Sequence, residues 1–304
     1  MLFRSGFNVP FAAAVTSASA IIGPIFPPSI PLIIYGTVTG ASVLQLLLGG
    51  ILPGLLCTLM LMLTAAWLAR GKGFPRADRW PRWRDLWRDF LPAAPAIAAP
   101  VILIAGMLAG WFTPTEIASV TVLYAVLISG LFYRELSWRG LVNAALETLH
   151  ASAALLLIVA VAALFGWILS VEGVPQKLTA AMLSISTYPY VLLLLVNVLL
   201  LVVGMFLDST TAILVIAPII AKPLIAAGVD PVHLGMVVVF NLMIGLLTPP
   251  MGLALYLVAD IARISMREVL RAMLPFYVPL LITLLLITYV PAITTWIPRL
   301  AFAP

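Results

Sequence analysis

From Val191 to Ala221 the chain carries a single charged side chain, Asp208. A run so long and so apolar fits a bilayer, where about 20 apolar residues cross the hydrocarbon as a helix. Comparable runs recur along the chain, so 63% of its 304 residues are hydrophobic and only 9% are charged, against roughly 25% charged in a soluble domain. In lipid every backbone polar group must be satisfied internally, so the fold class predicted is an all-α polytopic membrane protein. The same balance excludes an ordinary cytosolic enzyme and a disordered regulator. Cys57 is the only cysteine, which excludes a disulfide-stapled secreted module; it lies in an apolar run and reads as a small packing residue.

The net charge of +5 does not point to nucleic acid, because the charges are placed for a membrane. Seven of the 16 basic residues fall between Arg70 and Arg88, and five more are Arg134, Arg139, Arg263, Arg267 and Arg271. Clusters between apolar runs mark cytoplasmic loops. In residues 71–90, Trp80, Trp83, Trp87 and Phe90 recur at helical steps between arginines. That pattern predicts an amphipathic helix lying on membrane lipid at the cytoplasmic interface.

Proline sets the interruptions. The stretch Gly6–Gly36 holds Pro10, Pro24, Pro27, Pro28 and Pro31, and no continuous helix tolerates that cluster. The reading is a short helix over Pro10–Ala20, an unwound turn over Gly23–Pro28 and a second short helix from Ser29 to Tyr35. Residues 42–70 follow as a long helix bent near Gly49, Gly50 and Pro53. Spans are predicted at 92–112, 116–133 and 149–170, with an outward loop at Val171–Lys177. Residues 189–226 read as a re-entrant hairpin with its tip near Asp208. After it come a helix over Pro231–Leu246, a break at Thr248–Pro250, a helix to Ala262, and a last span over 273–298.

The two interrupted stretches are related. A shift of 222 residues, without gaps, brings Gly6 onto Gly228, Gly23 onto Gly245, Pro27-Pro28 onto Pro249-Pro250 and Leu52-Pro53 onto Leu274-Pro275. The connector 259–272 carries Arg263, Arg267 and Arg271, whereas its counterpart 37–50 carries no charge. Opposite charge bias predicts opposite orientation. Inverted repeats with broken helices are the mark of secondary transporters, with the substrate near the bilayer midplane.

The chemistry follows from the breaks. A Pro-Pro step removes two donors, so the carbonyls of residues 21–26 and 243–248 are expected to be free for a cation. Helix amino ends nearby suit a carboxylate. Asp208, alone at that depth, should face a cavity or a cation, and Ser209, Thr210 and Thr211 add hydroxyls. One formal charge among neutral oxygens suits Na⁺ better than Ca²⁺. Asp208 also reads as the cap of the helix starting at Ser209, and the two roles are compatible. Thr113 or Thr115 is expected to cap the helix holding Glu116, and Asp230 the helix starting at Pro231; Asp260 is expected to pair with Arg263. Two distant histidines and no paired carboxylates argue against an intramembrane enzyme.

The runs GPIFPPSIPLIIYG (23–36), FTPTE (112–116), GMFLDSTTAILVIAPII (204–220) and NLMIGLLTPPMGL (241–253) resemble the large membrane subunit of TRAP transporters, the DctM-like family. The resemblance covers essentially the whole chain. It implies an elevator-type, tripartite, ATP-independent importer of organic acids, of the C4-dicarboxylate or sugar-acid class, in a bacterial inner membrane. It implies Na⁺ as coupling ion with no other cofactor, a periplasmic binding protein and a small four-helix membrane subunit. Carried over residue by residue, it implies cation binding by Gly204, Asp208, Ser209, Thr210, Thr211, Asn241, Gly245, Thr248 and Pro249. In the first half it implies the same for Ser17, Ser19, Gly23 and Pro27. Substrate contacts are implied for Pro28, Asp208, Thr211 and Pro250. Position 209 is often Gly in the family and is Ser in this chain. The implied organisation is a remnant of the first inverted repeat (1–70), the interfacial segment (71–90), connecting helices (91–188) and the second repeat (189–304). The family's first hairpin is expected to precede residue 1. The alternative is therefore a truncated, non-transporting fragment that needs a partner chain supplying that hairpin.

Overall fold

The computed structural model describes residues 7–70, 82–186 and 188–302, and every regular element among them is helical. Six helices there are long and apolar enough to cross a bilayer: Val43–Ala69, Trp83–Leu108, Pro114–Phe132, Trp138–Leu169, Ser209–Ala226 and Met266–Tyr289. The protein is thus an all-α polytopic membrane protein. It divides into two compact units, Met1–Pro75 with Ala162–Pro304, and Arg76–Val161.

The first unit opens with α1 (Val9–Ala20) and α2 (Ile30–Thr39) on either side of a turn. Pro24, Pro27 and Pro28 in that turn cannot supply helix donors, and Ser29 restarts the chain by accepting from Leu32 N–H at 3.2 Å. Helices α3 (Val43–Gly49) and α4 (Ile51–Ala69) are nearly continuous, interrupted at Gly50. The Ile25 carbonyl sits so close to Gly50 that a side chain there has no room. The first break and this interruption therefore fit into each other.

The second half begins with α9 (Pro189–Gly204) and α10 (Ser209–Ala226), joined by a turn over 205–208. Next come α11 (Pro231–Gly245), the break at Thr248–Pro250, and α12 (Leu253–Ala262). Helices α13 (Met266–Tyr289) and α14 (Ala292–Ala301) close the chain. The Pro27-Pro28 and Pro249-Pro250 bonds are both cis. The packing mirrors the sequence repeat. Helix α1 packs on α12, and its counterpart α11 packs on α2. Helix α1 also packs on α13, as α11 does on α3. Each broken helix thus lays its first half against the second half of the other, the exchange that a two-fold relation produces. The deepest residues lie on α11, where Val232 through Gly245 are all buried.

The second unit holds α5 (Trp83–Leu108), α6 (Pro114–Leu127) with a π-helical end over Ile128–Phe132, and most of α7 (Trp138–Val171). Thr113 and Glu116 form a reciprocal cap at the start of α6. Tyrosine hydroxyls from this stretch pin α5: Tyr124 donates to Pro95 O at 2.9 Å and Tyr133 to Pro92 O at 2.6 Å.

Several boundaries differ from those read in the sequence. The described end of the expected interfacial segment, from Trp83, runs on into the following span as one helix, α5, which carries Pro92, Pro95 and Pro100 inside it. Residues 71–81, Arg79 and Trp80 among them, lie outside the described residues. Trp83, Trp87 and Phe90 do share a face, with ring centroids 6.1 and 5.5 Å apart. The loop expected at Val171–Lys177 is a short turn leading into α8 (Val174–Ile185). The last span is shorter and starts earlier, because Ser265 and Glu268 cap α13 at Met266 and Pro291 ends it. No Asp260–Arg263 ion pair forms; Arg263 terminates α12 in the left-handed conformation, φ 52°, and its N–H bonds the Asp260 carbonyl at 3.1 Å.

Candidate site at the hairpin turn and the second break

The turn after α9 meets the break after α11. Gly204 and Gly245 touch backbone to backbone: a Cβ on Gly245 would lie 2.5 Å from Gly204 Cα, and one on Gly204 would lie 3.0 Å from Gly245 Cα. Met251 N–H reaches across to the Met205 carbonyl at 3.3 Å. Between them lies a cavity of about 180 Å³ lined by Gly204, Phe206, Leu207, Leu246, Met251 and Gly252. Glycine at both contact points is what lets two helix ends approach so closely.

Asp208 ends this turn. One carboxylate oxygen accepts from Thr210 N–H at 2.9 Å and Thr211 N–H at 3.4 Å, capping α10. Asp208 is exposed at the surface of this chain, Ser209 is buried, and Thr210 and Thr211 are half-buried. The cap holds the carboxylate against the amino end of α10, which carries partial positive charge. Its other oxygen bonds no described residue.

Asn241 is fully buried. Its Nδ2 donates to the backbone carbonyl of Asn197 at 3.0 Å and to Asn197 Oδ1 at 2.9 Å. Asn197 Nδ2 donates to Thr288 Oγ1 at 2.8 Å, which donates on to the Leu284 carbonyl at 2.7 Å. Asn241 Oδ1 is left without a hydrogen-bond partner. A buried amide oxygen in that state normally costs free energy, which makes it an acceptor awaiting a donor or a cation. Asn197 was not singled out in the sequence. It is the one polar side chain between Val191 and Val203, and that isolation is the signal that finds it.

The expectation of bared carbonyls needs correcting in part. Ile22 O accepts from Ile25 N–H and Phe26 N–H, and Pro24 O from the Ser29 hydroxyl. In the second break Ile244 O accepts from Leu247 N–H and Thr248 Oγ1, Gly245 O from Thr248 N–H, and Leu246 O from Ala254 N–H. The Tyr277 hydroxyl donates to Leu247 O. Unwound backbone at this depth is tolerated because tight turns and hydroxyls recover its bonds. Among the described residues, Ile21, Gly23, Ile25, Phe26, Thr248 and Pro249 carbonyls accept none of these bonds, so the expectation holds for most of the first break.

The first half-site is less gathered. Ser17 is buried with its Oγ unpartnered, while Ser19 is exposed and bonds the Thr16 carbonyl at 3.1 Å. Gly23 and Pro28 are exposed and Pro27 is buried. These residues lie along α1 and its turn, whereas α2 beyond them packs on α10 and α11.

Comparison with known proteins agrees with this architecture. Residues 1–293 match the family model described as "Tripartite ATP-independent periplasmic transporter, DctM component". The chain is 42% identical over 297 residues to the sialic acid TRAP transporter large permease protein SiaM of Vibrio cholerae, covering 97% of this chain and 69% of that protein. It is 34% identical to the sialic acid TRAP transporter permease protein SiaT of Haemophilus influenzae, over 97% of this chain and 48% of that protein. It is 32% identical to the C4-dicarboxylate TRAP transporter large permease protein DctM of Vibrio cholerae, over 100% of this chain and 71% of that protein. These relatives are transporter components rather than enzymes. With its paired Pro-Pro breaks, the glycine contact and this match over nearly all its length, the chain belongs to the DctM component family of TRAP transporters.

Proposed function

We propose that the chain carries the transport path of a Na⁺-coupled importer of organic acids in a bacterial inner membrane. A periplasmic binding protein supplies the solute and a small membrane subunit stands beside it. Relatives named for sialic acid and C4-dicarboxylate support an organic anion as substrate. The observation that carries the reading is the meeting of the 205–208 turn with the second break. Asp208 ends that turn, Thr248 and Pro249 lie in the break, and Asn241, with its unpartnered Oδ1, lies one turn before Gly245; in this reading they supply oxygen ligands with one formal charge. That set suits a monovalent hard cation. Pro28, Thr211 and Pro250 stand for the substrate contacts, and Ser17, Ser19, Gly23 and Pro27 for a second cation position. In this reading the two broken helices lie in opposite orientation across the membrane.

The test is uptake in proteoliposomes holding this chain, its small subunit and its binding protein. Uptake is expected with Na⁺ and lost when K⁺ replaces it; equal uptake in K⁺ removes the coupling. Asp208→Asn separates the two roles of that residue, because Asn caps a helix about as well as Asp. Loss of Na⁺ dependence in this variant, with stability kept, reports the charge. Wild-type uptake removes Asp208 from the site. The chain spans 69% of SiaM and 48% of SiaT.

A further inference from the structure

His233 is one of two histidines in the chain and lies on the first turn of α11, buried at 2% exposure. Its ring bridges three elements. Nε2 is 3.2 Å from the Thr288 carbonyl on α13, and Nδ1 is 2.9 Å from Thr294 Oγ1 on α14. A carbonyl only accepts, so Nε2 carries a hydrogen in every state. The Thr294 hydroxyl either donates or accepts, and it has a second partner, the Pro291 carbonyl at 2.9 Å. That carbonyl keeps the Thr295 hydroxyl, also at 2.9 Å, when Thr294 turns away.

Two complete hydrogen-bond patterns therefore exist. In the neutral ring, Thr294 O–H donates to Nδ1. In the imidazolium, Nδ1–H donates to Thr294 Oγ1, whose hydrogen turns to Pro291 O. One hydroxyl rotation converts them, and no buried polar atom is orphaned in either.

A cavity of about 410 Å³ is lined by Asp230, Val232, Thr295 and Arg299; Val232 and Thr295 adjoin His233 and Thr294 in sequence, though neither His233 nor Thr294 lines it. The charged and titratable side chains at this end of the elements packed on α11 are Asp230 itself, Tyr35 of α2, Tyr190 of α9, Lys222 of α10, Tyr289 of α13 and Arg299 of α14; α3 contributes none. Asp230, which caps α11 one turn before His233, is the only carboxylate among the groups just named.

We propose that His233 is a proton-binding site and that its occupancy sets how firmly the hairpin is held to the broken helix. The path is physical. Thr288, whose carbonyl receives His233, also receives Asn197, and Asn197 receives Asn241. Asn241 lies one turn before Gly245, where α9 and α11 touch. A charge-assisted bond to Thr288 is about twice as strong as a neutral one, so protonation tightens the anchor from which the asparagine pair hangs.

The first test does not depend on transport. The chain with His150→Gln, labelled with ¹⁵N-histidine and held in lipid nanodiscs, gives one imidazole signal. The expected result is the Nε2–H tautomer at high pH and a second proton on Nδ1 as the pH is lowered to about 5. Thr294→Val is expected to shift that step. An Nδ1–H tautomer, or no titration down to that pH, overturns the proposal. The second test rests on the transport reading above and uses the reconstituted complex. KM for uptake is expected to rise about fivefold as His233 loses its proton, the factor for a charge-assisted bond becoming neutral. His233→Gln keeps a donor for Thr288 O and is expected to flatten that profile. A His233→Gln loss that is uniform across pH assigns a purely structural role and overturns the proposal. If no uptake occurs at all while the ¹⁵N signature is as expected, the transport reading fails and the proton site stands.

Discussion

Gly245 has no room for a methyl group. A Cβ there would lie 2.5 Å from Gly204 Cα and 2.6 Å from its carbonyl carbon, and both are backbone atoms that cannot swing aside. Gly245→Ala is therefore expected to push α9 off α11 and cost about 1–3 kcal/mol. Thermal unfolding in detergent measures it, with Gly130→Ala as control because nothing lies within 4 Å of a Cβ there. Equal melting temperatures for the two variants would remove the contact from the account. In the sequence Gly204 and Gly245 stood out only through the family resemblance and, for Gly245, the repeat; what they touch was not legible. The Asn241–Asn197–Thr288 chain was half legible. Asn241 sits in a family motif, but its partner lies 44 residues away, and the next link spans 91. Residue identity gives a polar group's need for a partner, and tertiary packing decides which partner meets it.

At the scale of elements, the breaks were the most readable feature, because proline writes a missing donor directly into the sequence. What happens to the freed carbonyls was not readable. Ser29 illustrates why. Its hydroxyl donates to Pro24 O inside the first break and accepts from Leu32 N–H at the start of α2, so one side chain both closes the turn and restarts the helix. Ser29→Ala is expected to cost about 1 kcal/mol and to speed hydrogen exchange over residues 22–32, while Ser29→Thr keeps both. Mass-spectrometric exchange at peptide resolution measures this; unchanged exchange in the Ala variant would show the turn to be held by other means. The continuity of α5 was missed because the arginine- and tryptophan-bearing 71–90 and the apolar 92–112 read as two segments; the helix runs on through Pro92, Pro95 and Pro100, as membrane helices often do. Helix α8 was missed because its twelve residues are too short and too mixed to rise above the loop signal.

Across the whole molecule, charge bias and packing make separate statements about the repeat. The arginines of 259–272 predict one side of the membrane, and the uncharged 37–50 the other. Ala41→Cys and Asp260→Cys test this against a quiet background, because the native Cys57 is buried. An impermeant maleimide added outside intact cells is expected to label Ala41→Cys, and Asp260→Cys only after lysis. Labelling of both from one side would end the inverted arrangement. The exchange of halves has a mechanical consequence of its own. With α1 seated on α12 and α13, and α11 on α2 and α3, the two proline elbows are clasped like folded hands. Neither can shift alone without breaking these contacts, so the two elbows are expected to move as one body.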